Sequence, residues 1–461
     1  MSIIGAFIVP HPPIILPQVG RGEEEKIQKT VDAYDEVARR LAAMKPEVII
    51  LTSPHATLYA DYFHISPGKG AKGDLRRFGA AGFSIEVEYD SELVQAISEE
   101  AEKAGIYAGT MGEREKGLDH GTLVPLHFIN KYFTDYKLIR IGLSGLTPLE
   151  HYRFGGLIAK SVETLDRRAV FVASGDLSHK LLAEGPYGFV PEGPEFDGKV
   201  TQAMGKADFL EFLNFQQSFC DSAAECGLRS FIIMAGALDG KSVKPELLSY
   251  EGTFGVGYGI AAYEVIGDDP ERHFDKIYIK KERERLSGIK SKEDPYVQLA
   301  RLSLETFVKT GEMAGVPDNL PDEMVTRRAG VFVSLKKHGH LRGCIGTIGP
   351  VTQSIAQEII RNAVSAGTED PRFPEVTRSE LEQLVYSVDV LSEPEPIQSM
   401  DELDVKRYGV IVTNGHRRGL LLPNLDTIDT PKQQVEIALE KAGIRPGQPY
   451  SMERFEVVRH K

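Results

Sequence analysis

The strongest constraint on the fold of this chain is a pair of short, uninterrupted apolar runs near its start. Residues 3–9 and 47–52 are rich in β-branched side chains and show no alternation of apolar and polar positions. Such runs are typical of strands that are buried on both faces of a sheet. Between them, residues 22–44 start with charged side chains and place apolar residues at helical spacing: Ile27, Val31, Tyr34, Val37 and Leu41. The three segments together predict a β–α–β unit and therefore parallel strands.

The same alternation recurs further along the chain. Residues 138–143 predict a strand, and the sequence Thr-Pro-Leu-Glu at 147–150 predicts a helix start, because Thr suits the N-cap, Pro the first helical position and Glu the third. A strand at 169–174, a helix near 225–238 and a glycine-rich strand at 250–266 follow. The pattern predicts an α/β fold with a mainly parallel sheet over residues 1–267.

A second domain is expected after a linker. Residues 268–292 carry Gly, Pro and many charges, and they predict a linker with one short strand at 276–280. The rest of the chain, residues 293–461, has an order of segments that is typical of an α+β domain. Its predicted helices lie near 295–310, 351–366 and 431–442, and its predicted strands at 330–335, 384–391 and 409–413. The length of 461 residues agrees with two or three domains, because single cores rarely grow beyond about 250–300 residues.

Composition excludes several classes of function. Lys and Arg number 54 against 67 Asp and Glu, a net charge of -13, whereas proteins that bind nucleic acid concentrate positive charge. No apolar run approaches the ~18 residues of a membrane span, and the first residues lack the features of a signal peptide. The 3 cysteines are too few, and odd in number, for a disulfide framework. We expect a cytoplasmic protein that binds neither nucleic acid nor membrane, and we also expect a homo-oligomer.

Four histidines lie just beyond predicted strands or in turns. His11, His55 and His179 each follow one of the predicted strands, and His120 lies in an Asp-His-Gly segment. Residues beyond the carboxyl ends of parallel strands converge on one crevice. A single histidine after a strand is more often a surface or capping residue, so it is the repetition that favours a metal site. The other histidines of this half are interpreted as surface or core residues: His64, His127, His151 and His273.

A metal held by two imidazoles needs a third donor. A carboxylate would complete the facial triad that suits non-haem Fe(II) and leaves positions open. Glu225 is favoured, because it lies where a loop enters an apolar helix and its carboxylate could face the crevice. Two alternatives stay open: Glu251, which lies in a turn, and Cys226, whose thiolate would favour a softer metal.

Four ordered segments carry a family resemblance: Val-Pro-His-Pro-Pro, Ser-Pro-His, Asp-His-Gly-x-x-x-Pro-Leu and Ser-Gly-Asp-Leu-Ser-His. Over about residues 1–266 they resemble the LigB-type class III extradiol ring-cleaving dioxygenases, and the related Memo family shares this scaffold. The resemblance implies that His11 and His55 bind the metal. It also implies that His179 is the catalytic acid/base and that His120 donates a hydrogen bond to oxygen.

The same resemblance assigns the third ligand and the reaction. Glu225 matches the glutamate of the triad, although Memo-like proteins have Cys-Gly at that place, and here Cys226-Gly227 follows directly. The implied activity is Fe(II)-dependent cleavage of a dihydroxylated, catechol-like ring, in which a histidine that titrates near neutrality moves the hydroxyl proton. One alternative is a hydrolase or lyase that uses Zn(II) or Fe(II) without O2 on a phenolic or carbonyl substrate. Another is a non-catalytic metal-binding protein.

The second half carries the segment Leu-Arg-Gly-Cys-Ile-Gly-Thr at 341–347, which is similar to the hallmark of the AMMECR family over about residues 293–461. That resemblance implies a fold and little mechanism. From the residues alone, Arg342 and Cys344 flank a glycine and would share one face of a strand. A thiolate beside a guanidinium could be reactive, but a small buried Cys344 and an ion-paired Arg342 are favoured.

The order of the two domains resembles the AmmeMemoRadiSam system protein A family. That resemblance implies partnership with Memo-like and radical SAM proteins, in addition to a small aromatic substrate.

Overall fold

The computed structural model describes residues 2–425 and 428–461. Two compact units divide between Lys280 and Lys281. The division falls inside a helix, Phe274–Lys290, so the strand expected at 276–280 is wrong. The β-prone stretch Ile-Tyr-Ile is only three residues long, and the Lys, Glu, Arg and Leu residues after it are strong helix formers, so helical propensity prevails over the segment. Among the described residues, no helix has both the length and the apolar character that crossing a bilayer requires.

The first unit alternates strands and helices. Its strands are β1 (Ile3–Val9), β2 (Val48–Ser53), β3 (Phe63–His64), β4 (Gly70–Leu75), β5 (Ala80–Glu88), β6 (Ala108–Gly109), β7 (Lys137–Gly142), β8 (Ala169–Ser174), β9 (Lys241–Glu251) and β10 (Tyr258–Asp268). Its helices are α1 (Pro17–Gly20), α2 (Gln28–Met44), α3 (Ser91–Ala104), α4 (His120–Asn130), α5 (Pro148–Thr164), α6 (Glu192–Lys206), α7 (Phe209–Asn214), α8 (Gln217–Ala223) and α9 (Leu228–Ala237), and α10 is the helix Phe274–Lys290.

The central sheet of this unit has the strand order β7-β2-β8-β1-β10-β9. The neighbours from β7 to β1 are parallel, and β10 and β9 add an antiparallel edge. The expected α/β fold with a mainly parallel sheet is confirmed. The single strand expected at 250–266 is instead the end of β9, a turn and most of β10, because the Gly-rich stretch between them reverses the chain.

The parallel strands are buried on both faces, which explains their uninterrupted apolar runs. In β1, Ile8 packs into one hydrophobic cluster and Phe7 into the other. In β2, Ile50 and Ile49 divide in the same way. The first cluster includes residues of α5 and α9, and the second includes residues of α2 and α4. With helices on both faces, the sheet leaves its strand ends as the place where polar side chains can gather.

The second unit is α+β, as expected. Its helices are α11 (Pro295–Thr310), α12 (Asp322–Thr326), α13 (Ile355–Thr368) and α14 (Pro431–Ala442), and its strands are β11 (Val331–Lys337), β12 (His340–Gly346), β13 (Leu384–Leu391), β14 (Glu395–Ile397), β15 (Tyr408–Asn414), β16 (Arg417–Leu421) and β17 (Ser451–His460). An antiparallel sheet runs in the order β12-β11-β13-β17-β15-β16, and β14 also pairs with β17. Apolar residues of α11 and α13 form its main core with β11 and β13.

Candidate metal centre

The site is built at the carboxyl edge of the parallel strands. β1 ends at Val9 and β8 at Ser174, and these two residues are in register. β2, which neighbours β8, ends at Ser53. His11 and His55 each lie two residues beyond the end of their strand, so the sheet brings both imidazoles to the same edge.

The surroundings of His11 fix which ring nitrogen is free. The side chain is buried, and its Nδ1 lies 3.0 Å from the hydroxyl of Ser174. That hydroxyl donates its own proton to the carbonyl of Gly121 at 2.6 Å, so it accepts from His11. Nδ1 therefore carries the proton and Nε2 presents a lone pair, the tautomer that a metal ligand needs. The backbone N–H of His11 is also held, because it donates to the carboxylate of Asp176 at 2.8 Å.

Three possible ligand atoms meet at this edge. Nε2 of His11 lies 3.0 Å from Nε2 of His55 and 3.7 Å from Sγ of Cys226. All three atoms lie within 4.8 Å of one another. An ion about 2.0–2.3 Å from each imidazole nitrogen and thiolate sulphur would set donor separations of about 3–4 Å, and both distances from Nε2 of His11 fall in that range. Two imidazoles and a thiolate therefore fit a divalent metal.

Two glycines place Cys226 in this cluster. A Cβ atom added to Gly175, just after β8, would lie 2.1 Å from the Cα of Gly227, so only glycine permits this approach of the two backbones. The approach is secured by Asp176, whose backbone N–H donates to Sγ of Cys226 at 3.3 Å. The segment before α9 is thereby held against the end of β8, and its thiol faces His11.

Glu225, the favoured third ligand from the sequence, does not join the cluster. Its carboxylate turns to the start of α9, where it accepts the backbone N–H of Leu228 at 2.7 Å. Burial raises the pKa of Glu225 to about 7, against the lowering effects of this hydrogen bond and of Arg229. Glu251 is also elsewhere, because its carboxylate accepts the backbone N–H and the hydroxyl of Thr30 in α2. In the structure, Cys226 completes the cluster in place of Glu225.

His120 stands beside the cluster at the first position of α4. Its ring centroid is 3.9 Å from that of His55 and 5.4 Å from that of His11. Burial, followed by the neighbouring His55 and His11, lowers the pKa of His120 to about 3. The ring is therefore neutral near pH 7 and can donate only one hydrogen bond. The exposed ring of Phe78 lies 5.1 Å from it.

A buried ion pair supports both His55 and His120. Asp119 caps α4 by accepting the backbone N–H of Thr122, and it also accepts the hydroxyl of Ser53 at 2.6 Å. Its other oxygen lies 3.0 Å from Nη2 of Arg140, whose side chain is 1% exposed. Burial alone would raise the pKa of Asp119, but Arg140, Ser53 and Thr122 outweigh it and the pKa is lowered. Sequence reasoning missed Arg140, because it lies inside an otherwise apolar strand.

His179 comes from the loop after β8. Its backbone N–H donates to the carbonyl of Ala223, and within the described residues its buried Nδ1 has no hydrogen-bond partner. The ring of Tyr187 lies 5.2 Å from it, nearly perpendicular. His179 follows Asp176 by three residues, and the carboxylate of Asp176 lies 3.9 Å from Nε2 of His11. Burial raises the pKa of Asp176 to about 6.

The remaining histidines of this unit lie away from the cluster, in agreement with the sequence interpretation. His64 and His151 are buried, and His151 packs edge-on against Phe63 in the core. His127 lies against the rings of Phe128 on α4 and Phe83 on β5. His273 pairs with Asp239 at 2.6 Å.

In the second unit, the Leu-Arg-Gly-Cys segment has structural partners. Arg342 forms a two-pronged ion pair with Glu380, at 3.0 and 3.1 Å, and donates to the carbonyl of Pro374. Cys344 is half-buried, and its Sγ accepts the hydroxyl of Ser334 at 3.1 Å. The ion-paired interpretation of Arg342 is confirmed.

Comparisons with known proteins agree with the division of the chain into two units. Residues 5–261 match the family described as the catalytic LigB subunit of aromatic ring-opening dioxygenase, and residues 297–460 match the family AMMECR1. The protein CA_C1420 of Clostridium acetobutylicum is 45% identical over 469 residues, which cover 100% of each chain. A protein of Thermotoga maritima is 47% identical over 171 residues, 37% of this chain and 98% of its own. Among solved structures, the uncharacterized protein PH0010 from Pyrococcus horikoshii is 31% identical, covers 36% of this chain and 88% of its own, and has a TM-score of 0.34.

Proposed function

We propose a metal-dependent enzymatic function for this chain, which belongs to the family of the catalytic LigB subunit of aromatic ring-opening dioxygenase. Its residues 297–460 form an AMMECR1 domain, so both domain resemblances drawn from the sequence are confirmed. The proposed reaction is cleavage of a dihydroxylated aromatic ring at the edge of the first unit's sheet. The observation that supports it most is the meeting of His11, His55 and Cys226, with His120 at their side.

The metal site would use Nε2 of His11, Nε2 of His55 and the thiolate of Cys226. A divalent metal held there supplies a Lewis acid that acidifies an aromatic hydroxyl and brings substrate and oxidant together. We propose Fe(II) from the family, with Zn(II) as the alternative. Ser174 keeps His11 in the ligand tautomer, and Asp176 fixes its backbone.

Two histidines of the chain would take up the substrate proton and donate a hydrogen bond during the reaction. We propose that His179 takes the proton of a substrate hydroxyl, because its buried Nδ1 has no hydrogen-bond partner among the described residues. His120, which is neutral near pH 7, would donate its single N–H to an oxygen of the substrate or oxidant. The rings of Phe78 and Tyr187, next to His120 and His179, would cover the substrate and exclude water.

Metal analysis together with an activity panel tests this proposal. Protein purified without O2 is analysed for bound metal and then mixed with a panel of catechols with and without O2. We expect bound iron and O2 uptake in the wild type and in His127→Ala, a matched histidine outside the site. We expect neither in His11→Ala. If metal-loaded protein takes up no O2 with any catechol of the panel, the ring-cleavage proposal is refuted.

A second candidate is favoured by Cys226. A thiolate in place of a carboxylate suits Zn(II) as well as iron, and a zinc-bound water can serve hydrolysis without O2. The candidate is therefore a hydrolase or lyase on a phenolic or carbonyl substrate. Zinc in the purified protein, with turnover of such a substrate in the absence of O2, would select it over the dioxygenase.

The resemblance to the AmmeMemoRadiSam system protein A family suggests protein partners for this chain. We propose that the chain works with Memo-like and radical SAM proteins. Co-purification of the three proteins, with the His11→Ala variant alongside, tests this: binding that survives the variant together with no turnover would favour a non-catalytic, metal-binding role.

A further inference from the structure

The second unit contains a cavity of about 750 Å³ that the proposed function does not use. Its walls come from the end of α10, from α11 and from the segment between α13 and β13. Five basic side chains line it: Arg283, Lys290, Arg301, Lys309 and Arg378. In a chain with a net charge of -13, this concentration of positive charge goes against the overall composition.

Carboxylates neutralise only part of this charge. Glu305 is shared by three cations, at 2.7 Å from Lys309, 3.6 Å from Arg301 and 3.9 Å from Lys290. Glu293 holds Arg301 from the other side, at 2.5 Å. Glu293 lies outside the lining, whose acidic residues are Glu305 and the exposed Glu382. Five basic groups thus face three carboxylates, an excess of two positive charges (5 − 3 = 2).

Two of the five cations are free to bind a ligand. Arg283 and Arg378 are exposed, and among the described residues neither guanidinium has a hydrogen-bond or ion-pair partner. A guanidinium presents a planar set of N–H donors that matches phosphate oxygens two at a time. Arg301 has a different role, because it is buried, held by Glu293 and stacked 4.4 Å over the ring of Tyr386.

The cavity also has an apolar side. Leu286, Leu381 and Leu384 lie in its lining, and Leu381 and Leu384 are buried. Sites for small molecules are typically about 300–1,000 Å³ and combine apolar walls with a few charged groups. A nucleic acid would instead need an extended basic track, which the composition argues against.

We propose that this cavity binds a small phosphorylated organic molecule of the nucleotide class. Arg283 and Arg378 hold the phosphate oxygens, Lys290 and Lys309 add long-range attraction, and the half-buried Leu286 packs against the organic body. The proposal is independent of the metal centre in the first unit.

Calorimetric titration of the full-length protein with pyrophosphate, ATP and adenosine tests it. We expect ATP to bind more tightly than pyrophosphate, because it also uses the apolar wall, and adenosine not to bind. Arg283→Ala and Arg378→Ala should each weaken ATP at least tenfold, the loss of one charge-assisted contact. Arg361→Ala is the matched control, because Arg361 is an exposed arginine of the same unit outside the cavity. Both cavity arginines are exposed, so their removal should leave the thermal unfolding midpoint unchanged.

Phosphate oxygens also bind metals, so the titrations are repeated with His11→Ala. Unchanged ATP binding in that variant supports the cavity in the second unit. Four results would overturn the proposal: no binding of pyrophosphate or ATP, equal weakening in Arg361→Ala and Arg378→Ala, loss of binding in His11→Ala, or a single-stranded oligonucleotide that binds more tightly than ATP.

Discussion

Replacing Arg140 by Met probes the buried ion pair behind the metal centre. Arg140 and Asp119 have side chains that are only 1% and 5% exposed, and their closest atoms are 3.0 Å apart. The substitution keeps most of the side-chain volume and removes the charge. It leaves a carboxylate buried without its counterion, next to Ser53 at the end of β2 and at the start of the helix that carries His120.

The expected loss of unfolding free energy depends on the hydrogen bonds that Asp119 keeps in the variant. Removing one partner of a buried pair typically costs about 3–5 kcal/mol. Asp119 keeps three hydrogen bonds, from Ser53 and from the backbone and hydroxyl of Thr122, at 2.6, 3.1 and 3.0 Å, so we expect the lower end, about 3 kcal/mol.

The cost should depend on pH. In the wild type the folded-state pKa of Asp119 is lowered, so its stabilising effect is present above the unfolded value and is lost as the pH falls through the folded value. In Arg140→Met, burial no longer meets an opposing cation and should raise that pKa, so acid relieves the penalty. The difference between the two proteins is therefore largest near neutral pH and shrinks towards low pH.

Hydrogen exchange followed by mass spectrometry measures the loss of local stability around Asp119. Local opening of residues 119–130 should become about a hundredfold more frequent in Arg140→Met, which corresponds to about 3 kcal/mol. The double variant Arg140→Met/Asp119→Asn should recover part of the protection, because no charge is left buried. Arg40→Met is the control, since Arg40 pairs with a half-exposed Glu246 and should cost at most about 1 kcal/mol. A double variant that is less protected than the single one, at every pH, would refute the reasoning.

Four further substitutions test individual contacts, three at the metal centre and one in the second unit. Ser174→Ala should weaken metal binding about 10–100-fold, because the tautomer of the imidazole that Ser174 holds is no longer fixed, and a competitive Co(II) titration measures this with Ser161→Ala as the control. Cys226→Ser should reduce the amount of bound metal. Glu225→Gln should keep the metal and lower the unfolding temperature, because it changes only the contact with Leu228. Loss of metal in Glu225→Gln and not in Cys226→Ser would mean that Glu225 is the third ligand. Arg342→Lys should destabilise the second unit by about 1–2 kcal/mol in urea unfolding, because a lysine cannot replace the two-pronged contact, and an unchanged midpoint would show that this contact is dispensable.

The sequence predicted the parts of the site that depend on periodicity. His11 and His55 follow from the apolar runs of β1 and β2, because strand ends in a parallel sheet share one edge. His179 follows from the strand before it in the same way, whereas His120 was singled out by its Asp-His-Gly segment. The α+β class of the second unit and its helix at Pro431–Ala442 also follow from local pattern.

The sequence could not decide between Glu225 and Cys226, because the two are adjacent and no periodicity governs a loop. Their directions are set by a left-handed turn at Ala224, with φ 53°, and by the close approach of Gly175 and Gly227. Both features depend on residues that meet only in the folded chain. The strand expected at 276–280 was wrong for a local reason. The short β-prone run is helical because the residues that follow it have high helical propensity.

Under the proposed function, the third donor would decide which reaction the site serves, and the variant Cys226→Asp tests whether residue 226 is that donor. The sheet edge, the tautomer of His11 and the support from Arg140 do not depend on residue 226. The backbone N–H of Asp176, which donates to Sγ of Cys226, can donate to a carboxylate oxygen instead. Exchanging a thiolate for a carboxylate removes the preference for softer metals and creates the two-histidine, one-carboxylate set of Fe(II) oxygenases. We expect the ratio of Fe(II) to Zn(II) affinity, measured by competition without O2, to rise relative to the wild type. An unchanged ratio would mean that residue 226 does not bind the metal, and Asp176, whose carboxylate lies 3.9 Å from Nε2 of His11, would then be the donor to test.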